Sequence, residues 1–96
     1  MRKYEIMYIV KTTLENDSVK SINDELQNIF TSRKSKIVEF KDLGQKQLAY
    51  PIQKEINGNY FLMIVEANTD ALNEFKRKIA INENVLRHIC INLDEE

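Results

Sequence analysis

His88 and Cys90 stand two apart in a run of strand-forming residues, Val85 to Leu93, so their side chains share one face. A thiol beside an imidazole is the pair from which a cysteine nucleophile is built. Such a nucleophile needs a lowered thiol pKa and a donor for the oxyanion. No glycine-rich or helix-starting segment adjoins the pair. A small buried thiol beside a packed imidazole accounts for the same spacing, and free Cys is among the most buried residue types. A metal centre fails on ligand number, because the chain has one His and one Cys and no paired acids at matching spacing. No catalytic residue, metal ligand or cofactor is therefore assigned, and the chain is expected not to be an enzyme.

The remaining chemistry lies in the cations. They fall at Arg2-Lys3, Arg33-Lys34-Lys36, Lys46, Lys54, Lys76-Arg77-Lys78 and Arg87. Taken singly, each cluster reads as solvated surface. Arg2, Lys46, Lys54 and Arg87 differ, because they fall on strands or strand ends rather than on helix faces. Tyr4, Tyr8, Tyr50 and Tyr60 are interleaved with them. Aromatics and cations on one sheet can hold RNA. The stretch Asn59-Tyr60-Phe61-Leu62-Met63 only loosely resembles the aromatic third strand of RNA-recognition modules, since Asn57 rather than a basic residue precedes Gly58. Tyr4 and Tyr8 fit the core better.

Those residues must be positioned by a small fold. The 96 residues give room for one domain, taken as 1–96. With 14 Lys and Arg against 15 Asp and Glu, the net charge is −1. That excludes an autonomous binder of nucleic acid held by bulk charge. Two Gly and one Pro mean few, short loops. A single Cys makes no internal disulfide and fits a reducing cytoplasm. No apolar run nears the ~20 residues of a membrane span, and the opening residues lack the pattern of a signal peptide. Neither a membrane nor a small-molecule substrate is expected.

Alternation over residues 3–10 predicts a strand, with Tyr4, Ile6, Tyr8 and Val10 on one face and Met7 and Ile9 on the other. Asn16-Asp17-Ser18 is expected to cap a helix whose apolar stripe is Val19, Ile22, Leu26, Ile29 and Phe30. Lys36 to Tyr50 predicts a long strand, or two pieces, interrupted at Gly44 by a bulge or bend. Pro51 should weaken pairing at its end, and Asn57-Gly58 signals a turn. Tyr60 to Val65 is apolar at every position, as in a central strand covered on both faces. A second helix follows, capped from Asn68, Thr69 or Asp70 and burying Leu72, Phe75 and Ile79. Val85 to Leu93 is a last strand before the acidic tail Asp94-Glu95-Glu96.

The order βαββαβ predicts an α+β, ferredoxin-like fold. Right-handed crossovers place both helices on one face of a four-stranded antiparallel sheet, with the first and third strands central. The other face is then open yet apolar, and contiguous apolar patches mark interaction sites. The connection Lys11 to Asn16 has no glycine. This argues against a phosphate cradle and against ligand-sensing domains of this topology. Acyl-phosphate hydrolases of the fold need an arginine there, and none is present.

The blocks Met1-Arg2-Lys3-Tyr4-Glu5, Leu43-Gly44, Leu48-Ala49-Tyr50-Pro51-Ile52, Gly58-Asn59-Tyr60-Phe61 and Asn84-Val85-Leu86-Arg87 resemble the bacterial small-subunit (30S) ribosomal protein six family along essentially the whole chain. Leu48 to Ile52 is the most specific block. The resemblance implies the same ferredoxin-like fold and a structural, ribosome-associated role in the cytoplasm. It implies binding to the central domain of small-subunit ribosomal RNA, cooperatively with small-subunit ribosomal protein eighteen. Arg2 and Arg87 match basic motif positions, Lys46 stands in the basic stretch before Leu48, and Lys54 is a weaker RNA contact. Gln47 occupies a place often basic in relatives, so one cation is missing. Tyr50 and Ile52 are expected to touch the protein partner. The competing readings are a ligand-sensing or homodimeric module of the same fold, and a thiol enzyme.

Overall fold

The computed structural model describes residues 2–93, so Met1 and the acidic tail lie outside the described residues. Six elements follow in the expected order: β1 (Arg2–Lys11), α1 (Asn16–Thr31), β2 (Lys36–Ile52), β3 (Glu55–Ala67), α2 (Thr69–Ile81) and β4 (Val85–Asn92). The strands form one antiparallel sheet in the order β2-β3-β1-β4. This is the expected ferredoxin-like arrangement, with β1 and β3 central.

Alternation along β1 sorts its side chains by face. Ile6, Tyr8 and Val10 are buried under the helices with Phe61, Met63 and Val65 of β3. The helices close this layer with Ile22, Leu26, Ile29 and Phe30 of α1 and Ala71, Phe75 and Ile79 of α2. Aromatic rings tie the layers together. Phe30 and Phe75 lie 5.1 Å apart between the helices, and Tyr8 and Phe61 stack at 5.5 Å across the sheet. Burying each such ring contributes roughly 1.5–3 kcal/mol. Tyr8 keeps a polar handle, since its hydroxyl donates to Oδ1 of Asn23 at 2.6 Å. Burial pushes its pKa well above the usual phenol value, and the charge of Asp42 adds to that.

The two helices begin differently. Asn68 caps α2, its side chain accepting from the Ala71 N–H at 2.8 Å and donating to the Arg33 carbonyl at 3.0 Å. The expected cap Asn16-Asp17-Ser18 instead forms the first turn of α1. Glu15 is the N-cap residue there and makes no side-chain cap bond. The helix therefore starts one residue earlier than expected, with the Val19 N–H donating to the Glu15 carbonyl at 3.1 Å.

The second correction is the turn between β2 and β3. Asn57-Gly58 lies inside β3, and the chain reverses at Gln53 and Lys54, both with positive φ (49° and 69°). Gly58 has another job. A Cβ there would lie 2.2 Å from Cγ2 of Ile9, so the glycine leaves room for that side chain. The bulge expected at Gly44 is present, with φ 85°, a register shift between Asp42 and Gly44, and the Asp42 carboxylate accepting from the Gly44 N–H at 2.9 Å. Pairing is irregular again between Gln47 and Ile52, around Pro51.

Candidate nucleic-acid interface

The register assigns the residues of the face away from the helices. Met7 lies between Leu62 and Ile89, Ile9 between Tyr60 and Arg87, and Glu5 between Ile64 and Ile91. One end of this face is covered by the chain itself. Past Gly58 the β2–β3 hairpin continues beyond β1 and crosses toward the opposite edge of the sheet. Leu48 of β2 reaches Leu86 of β4 and Ile9 of β1, forming a second small core to which Ile52 and Tyr60 are packed. The bulge between Ile9 and Val10 in the β1–β4 pairing breaks the alternation, so that Leu86 and Arg87 both lie on the open face while Val85 packs in the main core. The remainder is open, with Ile89, Ile91 and Leu93 exposed.

Four of the six residues singled out from sequence meet at this hairpin. Alternation on β2 aims Lys46, Leu48, Tyr50 and Ile52 the same way. Lys46 Nζ sits 5.7 Å from the centre of the Tyr60 ring. Arg87 donates through Nη1 to the Tyr50 hydroxyl, with its guanidinium 6.0 Å from the ring centre. Beside Arg87 is a shallow cavity of about 330 Å³, lined by Met7, Ile9, Tyr60, Arg87, His88 and Ile89. The arrangement is an apolar floor with Arg87 in its wall and Lys46 against the Tyr60 ring that lines it.

These cations differ from Arg33, Arg77 and Lys41, whose charges are met by carboxylates. Glu74 of α2 pairs with Arg33 at 3.3 Å and Arg77 at 2.6 Å, and Lys41 pairs with Glu39 at 3.3 Å. The Arg77 hydrogen bond, followed by the nearby positive charges, holds the Glu74 carboxyl below its usual value. Among the described residues, Lys46 and Arg87 have no carboxylate within ion-pair distance, so their charge is available to an anion. Tyrosine π faces and hydroxyls hold them without neutralising them.

Arg2 and Lys54 are not part of this group. Arg2 pairs with Ala67 at the far end of β1, seven residues from Ile9 and hence about 24 Å away along the strand. It borders a separate polar hollow with Tyr4, Asn68 and Thr69. Lys54 is exposed in the hairpin turn rather than on a strand.

Sequence reasoning placed Tyr60 among the tyrosines interleaved with the cations but did not assign it to the site. It anticipated the open apolar face from the outward parity of Met7 and Ile9. What it did not supply was that Lys46 and Arg87 lie beside that face.

His88 and Cys90 do share a face, opposite Tyr8 and Ile6. His88 is exposed while Cys90 packs against the main core. Burial raises the Cys90 pKa, with Lys76 opposing in part. This is the reverse of an activated thiol. Among the described residues no group of three or more His, Cys, Asp or Glu could hold a metal ion, and no helix is long and apolar enough to cross a membrane.

The sequence matches the family model for ribosomal protein S6 over residues 3–92. It is 45% identical over 91 residues to the small ribosomal subunit protein bS6 of Phytoplasma australiense, covering 95% of this chain and 98% of that one. Identity to the protein of the same name from Shouchella clausii is 43% over 96 residues, the full length of both. The crystal structure of 30S ribosomal protein S6 from Thermotoga maritima superposes with a TM-score of 0.88 at 22% identity, covering 95% of this chain and 86% of that one. At that identity the superposition speaks for the fold.

Proposed function

This chain belongs to the ribosomal protein S6 family, and from that premise we propose that it binds the central domain of small-subunit ribosomal RNA cooperatively with small-subunit ribosomal protein eighteen. Membership makes it a structural component of the small ribosomal subunit, ribosome-associated in the cytoplasm, and not an enzyme. The finer reading is supported by one observation above the others. Lys46 and Arg87, without carboxylate partners, border an apolar face that the helices leave uncovered.

In this reading Lys46 and Arg87 meet phosphates from the hairpin end of the sheet. Arg2 makes a separate contact from the opposite end of β1, and Lys54 a further one from the turn. Tyr50 and Ile52 meet the protein partner along the hairpin. Charge arithmetic explains the need for that partner. A chain of net charge −1 neutralises few phosphates, each contributing a salt slope of about −0.9 or less. Its binding alone is therefore weak. A basic partner supplies further cations and covers Met7, Ile89 and Ile91.

The test is titration of a central-domain RNA fragment with this protein, with and without the basic partner, at several salt concentrations. Weak binding alone with a shallow salt slope, and tight binding with a steeper slope when the partner is present, are expected. Equal affinity in both conditions overturns the cooperative reading. The residue assignments are tested by substituting Arg2, Lys46 and Arg87 singly by Ala. Each is expected to weaken binding and to reduce the salt slope by about 1.

A further inference from the structure

Arg87 and Tyr50 are 37 residues apart and sit on opposite edge strands, yet the guanidinium and the hydroxyl are hydrogen-bonded. The contact exists because the hairpin crosses the open face, anchored by Leu48 on Ile9 and Leu86. Tyr50 itself contributes little to that anchoring, since it is 55% exposed while Leu48 is 7% exposed. Its hydroxyl occupies one of the five N–H donors of Arg87. The others are left for the paired hydrogen bonds that a guanidinium makes to a phosphate. A free arginine loses rotamer freedom when a phosphate fixes it, and an arginine already held loses less.

We infer that Tyr50 is a positioning residue, its hydroxyl holding the Arg87 guanidinium at the mouth of the apolar cavity in a geometry ready for an RNA phosphate. The inference rests on the reading above that Arg87 contacts RNA. It adds a role that partner contact does not include. The exposed ring of Tyr50 serves the partner protein, and the hydroxyl serves Arg87.

The experiment is a double-mutant cycle with Tyr50→Phe and Arg87→Ala, measured as affinity for the central-domain RNA fragment in the presence of the basic partner. Tyr50→Phe keeps the ring and removes only the hydroxyl. It should weaken RNA binding about three- to tenfold in the otherwise native protein, the ordering cost of one long side chain. In the Arg87→Ala background it should have no effect. In the free protein, the Nε–Hε resonance of Arg87 should broaden in Tyr50→Phe while the melting midpoint stays within about a degree. A purely structural role would not move that resonance selectively. Equal losses in both backgrounds, or no loss in either, overturn the positioning role. Native RNA affinity in Arg87→Ala is a separate outcome, and it refutes the Arg87–RNA contact itself.

Discussion

Replacing Gly58 by Ala should destabilise the protein through one contact. A Cβ at this position would lie 2.2 Å from Cγ2 of Ile9 and 3.4 Å from Cδ2 of Leu48. Only the first is a clash, and about 1 Å of movement is needed to relieve it. Ile9 cannot swing its methyl aside cheaply, because a β-branched side chain is stiff at χ1. It is also buried, between Leu48 and Leu86. Overpacking of this kind costs about 1–3 kcal/mol. Restricting the unfolded chain by the Gly to Ala change returns about 0.4–1 kcal/mol. The net cost is then about 1.3 kcal/mol at the centre of these ranges, or about 5–10 °C in melting temperature for a domain of this size. The assay is thermal and urea denaturation of four proteins: native, Gly58→Ala, Ile9→Ala and the double variant. Ile9→Ala alone creates a cavity and costs about 2–5 kcal/mol. Adding Ala at 58 should then cost nothing, or restore stability, because the methyl it collides with is gone. A neutral Gly58→Ala would refute the close approach. An equal cost in both backgrounds would show that backbone conformation, and not Ile9, requires the glycine.

Tyr8→Phe should cost about 1–2 kcal/mol, because it leaves the Asn23 side chain without its buried donor. The same variant tests a pH effect. The Tyr8 phenol is raised in the fold, so its stabilising contribution is complete below the unfolded value near 10 and is lost as pH rises beyond it. Urea titrations at pH 8 and pH 11 should show the native protein losing more stability than Tyr8→Phe, and equal losses would remove the buried-phenol argument. Cys90 should alkylate slowly in the native protein at pH 8 and rapidly in denaturant, since burial raises its pKa. Fast native-state modification would reopen the thiol-enzyme reading.

Much of this molecule was legible because the relevant geometry is local. Alternation in β1 sorts Ile6, Tyr8 and Val10 from Met7 and Ile9 without knowledge of any neighbour. The stripes of α1 and α2 likewise name their buried residues, and the order of elements restricts the topology. The Asn57-Gly58 turn failed because a glycine satisfies two different demands, positive φ and close approach, and sequence does not say which. The reversal at Gln53 and Lys54 carries no glycine to announce it.

The site divides in the same way. Sequence by itself determined which residues carry uncommitted chemistry: few cations, a net charge of −1, a thiol without activating neighbours, and an apolar face opposite the helices. Only the tertiary structure decided which of them act together. Arg2 and Arg87 look equivalent as isolated strand cations, yet β1 holds them apart by about seven residues of extended chain. Tyr50 and Arg87 look unrelated, yet the crossing hairpin brings them into hydrogen-bond contact. The physical reason is that periodicity fixes the direction of a side chain relative to its own strand. The distance between two strands is fixed by long-range packing, here Leu48 on Ile9 and Leu86.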